Sequence, residues 1–127
     1  MLKDISNADD VKIMVDSFYK KVNQDELLSP VFNEIAKIDW DSHLPIMYGF
    51  WRNILFSTGE YAGRPFVKHA PLPINDIHFE RWLALFNENL NELFEGPKTE
   101  EARFRAKTIG AIFSAKMNQN QGFPKGQ

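Results

Sequence analysis

The side chains able to do chemistry in this chain are few: three histidines, His43, His69 and His78, and polar-tipped aromatics such as Tyr19 and Trp82. An imidazole can ligate a metal, move a proton or cap a helix. No His-x-x-His or His-Glu-x-x-His spacing occurs, and His43 and His69 fall on different segments, so a catalytic zinc site is poorly supported. The absence of cysteine removes disulfides, thiolate catalysis, cysteine zinc sites and iron–sulfur clusters. There is no Gly-x-Ser-x-Gly, no phosphate-binding glycine loop and no compact carboxylate cluster. Any metal has to be held by histidine, carboxylate or a macrocycle.

Of the three, His69 has the stiffest surroundings. In Lys68-His69-Ala70-Pro71-Leu72-Pro73 the two prolines lack backbone N–H groups and push the residues before them out of the α region. His69 is thereby placed at the end of a short, firmly terminated segment. Taken alone, such a histidine is more often a surface or capping residue than a ligand. What it could ligate depends on the elements around it.

Those elements read as helices. Ser6 or Asn7 can cap a first helix over about 7–23, with Asp9 and Asp10 at its positive end and Val11, Val15, Phe18, Tyr19 and Val22 on one face. Ser29 and Pro30 open a short helix through Ala36 whose Val31, Phe32 and Ile35 should face inward. A third helix starts at Asp39 or Asp41 and continues to about Phe56, carrying Trp40, His43, Leu44, Met47, Trp51, Ile54 and Leu55 on one side. Pro45 is expected in or near its first turn. Gly59, Gly63 and Pro65 mark a loop that leads to His69.

Asn75 or Asp76 should begin the next helix, whose stripe is Phe79, Trp82, Leu83, Phe86, Leu90, Leu93 and Phe94. His78, near its start, is expected to be structural or exposed. After Gly96-Pro97, Thr99 is the expected cap of a last helix carrying Ala102, Ala106, Ile109, Ile112, Phe113 and Met117 inward. No alternating strand pattern, repeat or linker interrupts the series, so the fold class is all-α.

Bulk composition narrows the function. A chain of 127 residues suits one domain, and 11 Phe, 3 Trp and 3 Tyr can fill a core or line a cavity for a large flat apolar ligand. A net charge of −2 and pI near 5.9 without a basic run argue against nucleic acid or an anionic membrane as partner. No apolar run approaches the ~20 residues of a spanning helix, and the polar start at Met1–Ser6 does not read as a secretory signal. A cytoplasmic protein is the simplest expectation. An aromatic-rich helical domain with one stiffly held imidazole and a few polar tips on apolar faces has the parts that a haem pocket needs.

In chain order, Phe18-Tyr19, Trp40-Asp41-Ser42-His43-Leu44-Pro45, Phe50-Trp51, Tyr61-x-Gly63-x-Pro65, Lys68-His69 and Phe79-x-x-Trp82-Leu83-x-Leu85-Phe86, followed by an Ala-rich last helix, resemble the truncated, two-over-two haemoglobins of the third subgroup. Single pieces are weak, but the ordered series covers nearly the whole chain. Paired glycines, common at loop corners in the other truncated subgroups, do not occur here.

The resemblance implies a single-domain two-over-two globin fold around one haem b over residues 1–118, with 119–127 a flexible tail. It implies His69 as proximal iron ligand, its other ring nitrogen donating to a nearby carbonyl. Tyr19 and Trp82 would direct polar hydrogens at a ligand on the opposite iron face, and His43 would occupy the distal histidine place as a gate or further donor. Phe18, Phe32, Met47, Trp51, Phe66, Leu72, Ile77 and Phe86 would form walls. Arg64 and Lys68 are candidates to meet the haem propionates, although a solvated surface charge is the commoner fate of either residue.

Alternatives stand beside each role: His43 as a satisfied histidine at a helix start, Tyr19 and Trp82 as core residues bonded to carbonyls. Expected ligands are dioxygen, carbon monoxide and nitric oxide. The implied activity is reversible gas binding. The alternative is a haem enzyme that converts nitric oxide to nitrate or reduces peroxide, drawing electrons from an external reductase because the sequence holds no reductase domain. A helical interaction module without cofactor is the third class.

Overall fold

A computed structural model describes residues 1–59 and 74–121, with side chains to residue 115. Four α-helices make up the described chain: α1 (Ala8–Gln24), α2 (Trp40–Phe56), α3 (Asp76–Leu93) and α4 (Pro97–Gln121), with a π-helical turn at Val31–Ile35 between the first two. No strand occurs among the described residues. Helix α1 packs on both α2 and α3, and α3 runs along α4, so two helix pairs stack on each other. Burial of Val11, Val15, Phe18 and Val22 on α1 follows from their one-face spacing, and they meet Leu55 of α2 and Phe86 and Leu90 of α3 in one core.

Asn7 is the cap of α1, its side chain accepting from the Asp10 N–H at 2.9 Å; Ser6, the other candidate, instead donates both its N–H and hydroxyl to the Asp10 carboxylate. Asn75 caps α3 by accepting from the Ile77 N–H, while His78 Nδ1 accepts from the Asn75 N–H at 3.1 Å. His78 is therefore structural, as its position suggested. Pro45 lies inside α2, a full turn past the start at Trp40.

Three expectations are corrected. Thr99 is not the cap of α4: the helix begins at Pro97, and the side chain of Asp4 accepts from the Lys98 N–H, the Thr99 N–H and the Thr99 hydroxyl at 2.9, 2.8 and 2.8 Å. The N-terminal segment supplies the cap because it lies alongside, pinned by Glu95 N–H to Lys3 C=O at 2.9 Å. Ile35 is 49% exposed and Ile112 47% exposed, neither facing inward. At Val31–Ile35 the Ala36 N–H bonds back five residues to Val31 C=O, so the turn is wider than an α-helix and Ile35 rotates away from the core. Ile112 lies off the packed stripe on which Ala102 and Ala106 are buried. Met117 lies in α4 beyond the described side chains. The helix reaches Gln121, into the 119–127 segment expected as a tail, whose residues 122–127 lie outside the description.

Polar ties fix the helices that carry the candidate site. Tyr48 of α2 donates its hydroxyl to Asp16 of α1, and Lys12 both pairs with Asp16 at 2.9 Å and sits 5.4 Å over the Tyr48 ring. Arg81 of α3 reaches Asp25 just beyond α1 at 2.6 Å. Tyr19, His43 and Trp82 therefore stand on helices whose relative positions are braced on both sides.

Candidate functional site

Five of the expected site residues, Arg64, Phe66, Lys68, His69 and Leu72, lie outside the described residues, as does the Tyr61-x-Gly63-x-Pro65 loop. The others are brought together, with one exception, by a continuous set of ring contacts. Phe18 stands edge-on to both Trp82 and Phe86, at 5.7 and 5.1 Å between centroids. Phe86 is sandwiched between Trp82 (5.9 Å, 15° between planes) and Trp51 (5.1 Å, 20°). Tyr19, next to Phe18, meets Phe32 at 6.2 Å and His43 at 5.8 Å. Met47, one turn along α2 from both His43 and Trp51, packs against the same core.

The exception is Ile77, 61% exposed at the start of α3. Trp40, on the inward side of α2 and outside the expected site, touches Tyr19, Phe32 and His43. Its position one turn before His43 was the signal available for it.

Two polar hydrogens stand out. Tyr19 is buried, and burial pushes its phenol well above the ordinary tyrosine range, so the group stays protonated and keeps an O–H to donate. Among the described residues neither the Tyr19 hydroxyl nor the Trp82 indole N–H has a hydrogen-bond acceptor. Trp82 is half-buried, and the buried side-chain polar atom that lacks a partner among the described residues is Asn89 Oδ1. A small cavity of about 40 Å³ adjoins Trp82, walled by Leu28, Val31, Phe32, Phe79 and Phe113 with almost no polar surface. No cluster of histidine and carboxylates able to hold a bare metal ion exists among the described residues. A flat apolar cofactor with an acceptor-bearing ligand on one face suits this donor set; a carboxylate-bound metal does not.

The model of the bacterial-like globin family matches residues 2–112. The chain belongs to that family. This globin is 32% identical over 111 residues to the group 3 truncated haemoglobin of Campylobacter jejuni, covering 84% of this chain and 87% of that one. A crystal structure of group III truncated haemoglobin from Campylobacter jejuni superimposes with a TM-score of 0.81 at 31% identity, covering 92% of this globin and 95% of that chain. The third truncated group and the two-over-two fold are thus shown for this globin. Membership implies haem and the binding of diatomic gases. No helix among the described residues is long and apolar enough to cross a membrane.

Proposed function

We propose that this globin holds haem b through His69 as proximal iron ligand and reversibly binds dioxygen, carbon monoxide and nitric oxide on the opposite face, beside Tyr19, Trp82 and His43. The observation that supports it most is a pair of polar hydrogens set among apolar rings, the hydroxyl of buried Tyr19 and the indole N–H of half-buried Trp82, both adjoining Phe18. Phe18, Phe32, Met47, Trp51 and Phe86 surround them with apolar surface, with Phe66 and Leu72 as further walls and Arg64 and Lys68 near the propionates. The haem, when bound, supplies the ferrous iron that takes up the gas.

Tyr19 and Trp82 then act by donation. A gas ligand that gained negative charge on binding would accept from them, and a hydrogen bond to a charged acceptor contributes about 1.5–3 kcal/mol. Since ~1.4 kcal/mol is a factor of ten, each donor slows release roughly tenfold or more. Carbon monoxide, less polar, gains less. His43, on the distal side of Tyr19, restricts access or adds a third donor.

Tenacious oxygen binding is also what the second reading requires. Donors that stabilise charge during O–O chemistry favour conversion of nitric oxide to nitrate, or peroxide reduction, with electrons from an external cytoplasmic reductase. Haem titration of the purified chain tests the first claim: a one-to-one endpoint with a sharp Soret band is expected. Nitric oxide added to the oxygenated form then separates the readings, since stoichiometric nitrate with turnover under a reductase favours the enzyme.

A further inference from the structure

We propose that Trp40, latched by Asn33, is the positioning residue of the distal face: it holds Tyr19 and His43 in place and keeps the route between α1 and the start of α2 closed. The inference rests on the haem reading above and adds two residues to it. Trp40 is the first residue of α2, one turn before His43. Its indole stacks on Phe32 (6.0 Å, 19° between planes), lies 5.3 Å from the Tyr19 ring and meets His43 almost perpendicularly at 5.6 Å. Among the described rings around the Tyr19 side chain, it joins Tyr19, His43 and, through Phe32, the π-helical turn.

What fixes the indole is a polar clamp outside the pocket. Trp40 Nε1–H donates to Asn33 Oδ1 at 2.8 Å. The Asn33 amide in turn donates to Asn23 Oδ1 at 2.7 Å and to the Ser29 carbonyl and hydroxyl oxygens at 3.1 and 3.3 Å. The end of α1, the connection and the start of α2 are thus tied through one amide. With its N–H committed outward, Trp40 presents only apolar ring surface to Tyr19 and His43, so it braces them without competing as a donor.

Asn33 is exposed while Trp40 is half-buried, so the latch stands at the border of pocket and solvent. Its loss lets the indole leave the Phe32 face, which removes the wall beside His43 and frees the Tyr19 ring.

The test compares haem-loaded parent, Trp40→Phe, Asn33→Leu and the double variant. Trp40→Phe keeps an aromatic ring on Phe32 but cannot bond Asn33; Asn33→Leu, on the surface, leaves the indole intact. Both singles should raise the carbon monoxide association rate roughly fivefold to tenfold, the factor by which one ordinary hydrogen bond shifts an equilibrium. Both should also split or broaden the C–O stretching band, which reports the polar groups beside the ligand. Because the two substitutions break the same bond, the double variant should add nothing beyond either single. In Asn33→Leu the Trp40 indole proton should exchange with solvent faster than in the parent, a readout independent of any bound gas.

Haem-loaded variants with the parent's rate and C–O band overturn this inference alone, as does full additivity in the double variant. A parent that takes up no haem overturns the reading beneath it.

Discussion

Phe18 and Trp82 meet at 85° with ring centroids 5.7 Å apart, joining α1 to α3 at the point where both proposed donors stand. Tyr19 follows Phe18 directly and packs on it at 4.9 Å, so one phenylalanine supports both. Removing either donor as Tyr19→Phe or Trp82→Phe should leave this support in place. Dioxygen release, followed by stopped flow after mixing with carbon monoxide, should speed up about tenfold or more in at least one of the two. Unchanged release in both removes the donors from the account.

His78 makes the stability of α3 depend on pH. Its Nδ1 accepts from the Asn75 N–H, which only a neutral imidazole can do, and burial holds its pKa below the ordinary 6.5. The unfolded chain therefore binds the proton first on acidification. This contribution is fully present above about pH 6.5 and is lost as pH falls from there through the lower folded value. Denaturant melts between pH 7.5 and 5 should show the loss in the parent and a smaller one in His78→Gln, whose amide oxygen can still accept but does not titrate.

The Asp4 cap of α4 shows the same linkage at lower pH. Burial alone would raise its carboxyl, but hydrogen bonds from the Lys98 N–H, the Thr99 hydroxyl and N–H, and the Ile5 N–H outweigh it and hold the pKa below the ordinary 3.8. The stabilisation is complete above about pH 4 and disappears as pH drops through the folded value. Asp4→Ala should cost roughly 0.5–2 kcal/mol at neutral pH. Gly96→Ala should cost roughly 1–3 kcal/mol, because Gly96 has φ of +146° and a Cβ there would lie 2.4 Å from Asp4 Cγ. Equal midpoints for parent and both variants in urea melts contradict the cap.

Gly110, buried within α4, is the opposite case. A Cβ there would meet the Trp82 ring at 3.6 Å, an ordinary contact. Gly110→Ala should stabilise the fold by roughly 0.5–1 kcal/mol through helix propensity. A lowered urea midpoint would show that Trp82 packs more tightly on α4 than that spacing allows.

Which of these features a reader of the sequence could see follows from their range. Asn7 and Asn75 are local caps, two or three residues from the N–H groups they accept, and their helices are legible from nearby residues alone. The Asp4 cap spans the chain from its first residues to Lys98 and Thr99, so the local pattern favoured Thr99 instead. The inward stripe of α1 gave Phe18 and Tyr19, since residues about one helical period apart share a face. The wider π-helical turn broke that period, and Ile35 left the core. Tyr19, His43 and Trp82 were visible as polar tips on apolar faces. The Asn33 amide was not, because a polar residue in a short connection carries no pattern until its partner Trp40 is placed beside it.

The central claim is that His69 holds the haem iron, and the absorption spectrum of His69→Gly tests it most directly. Ferric, reduced and carbon monoxide spectra of the parent should show haem with histidine ligation. The variant should lose that ferrous carbon monoxide spectrum and regain it when imidazole is added to fill the space left by the side chain. A variant spectrum identical to the parent's, or a parent that binds no haem, contradicts the account.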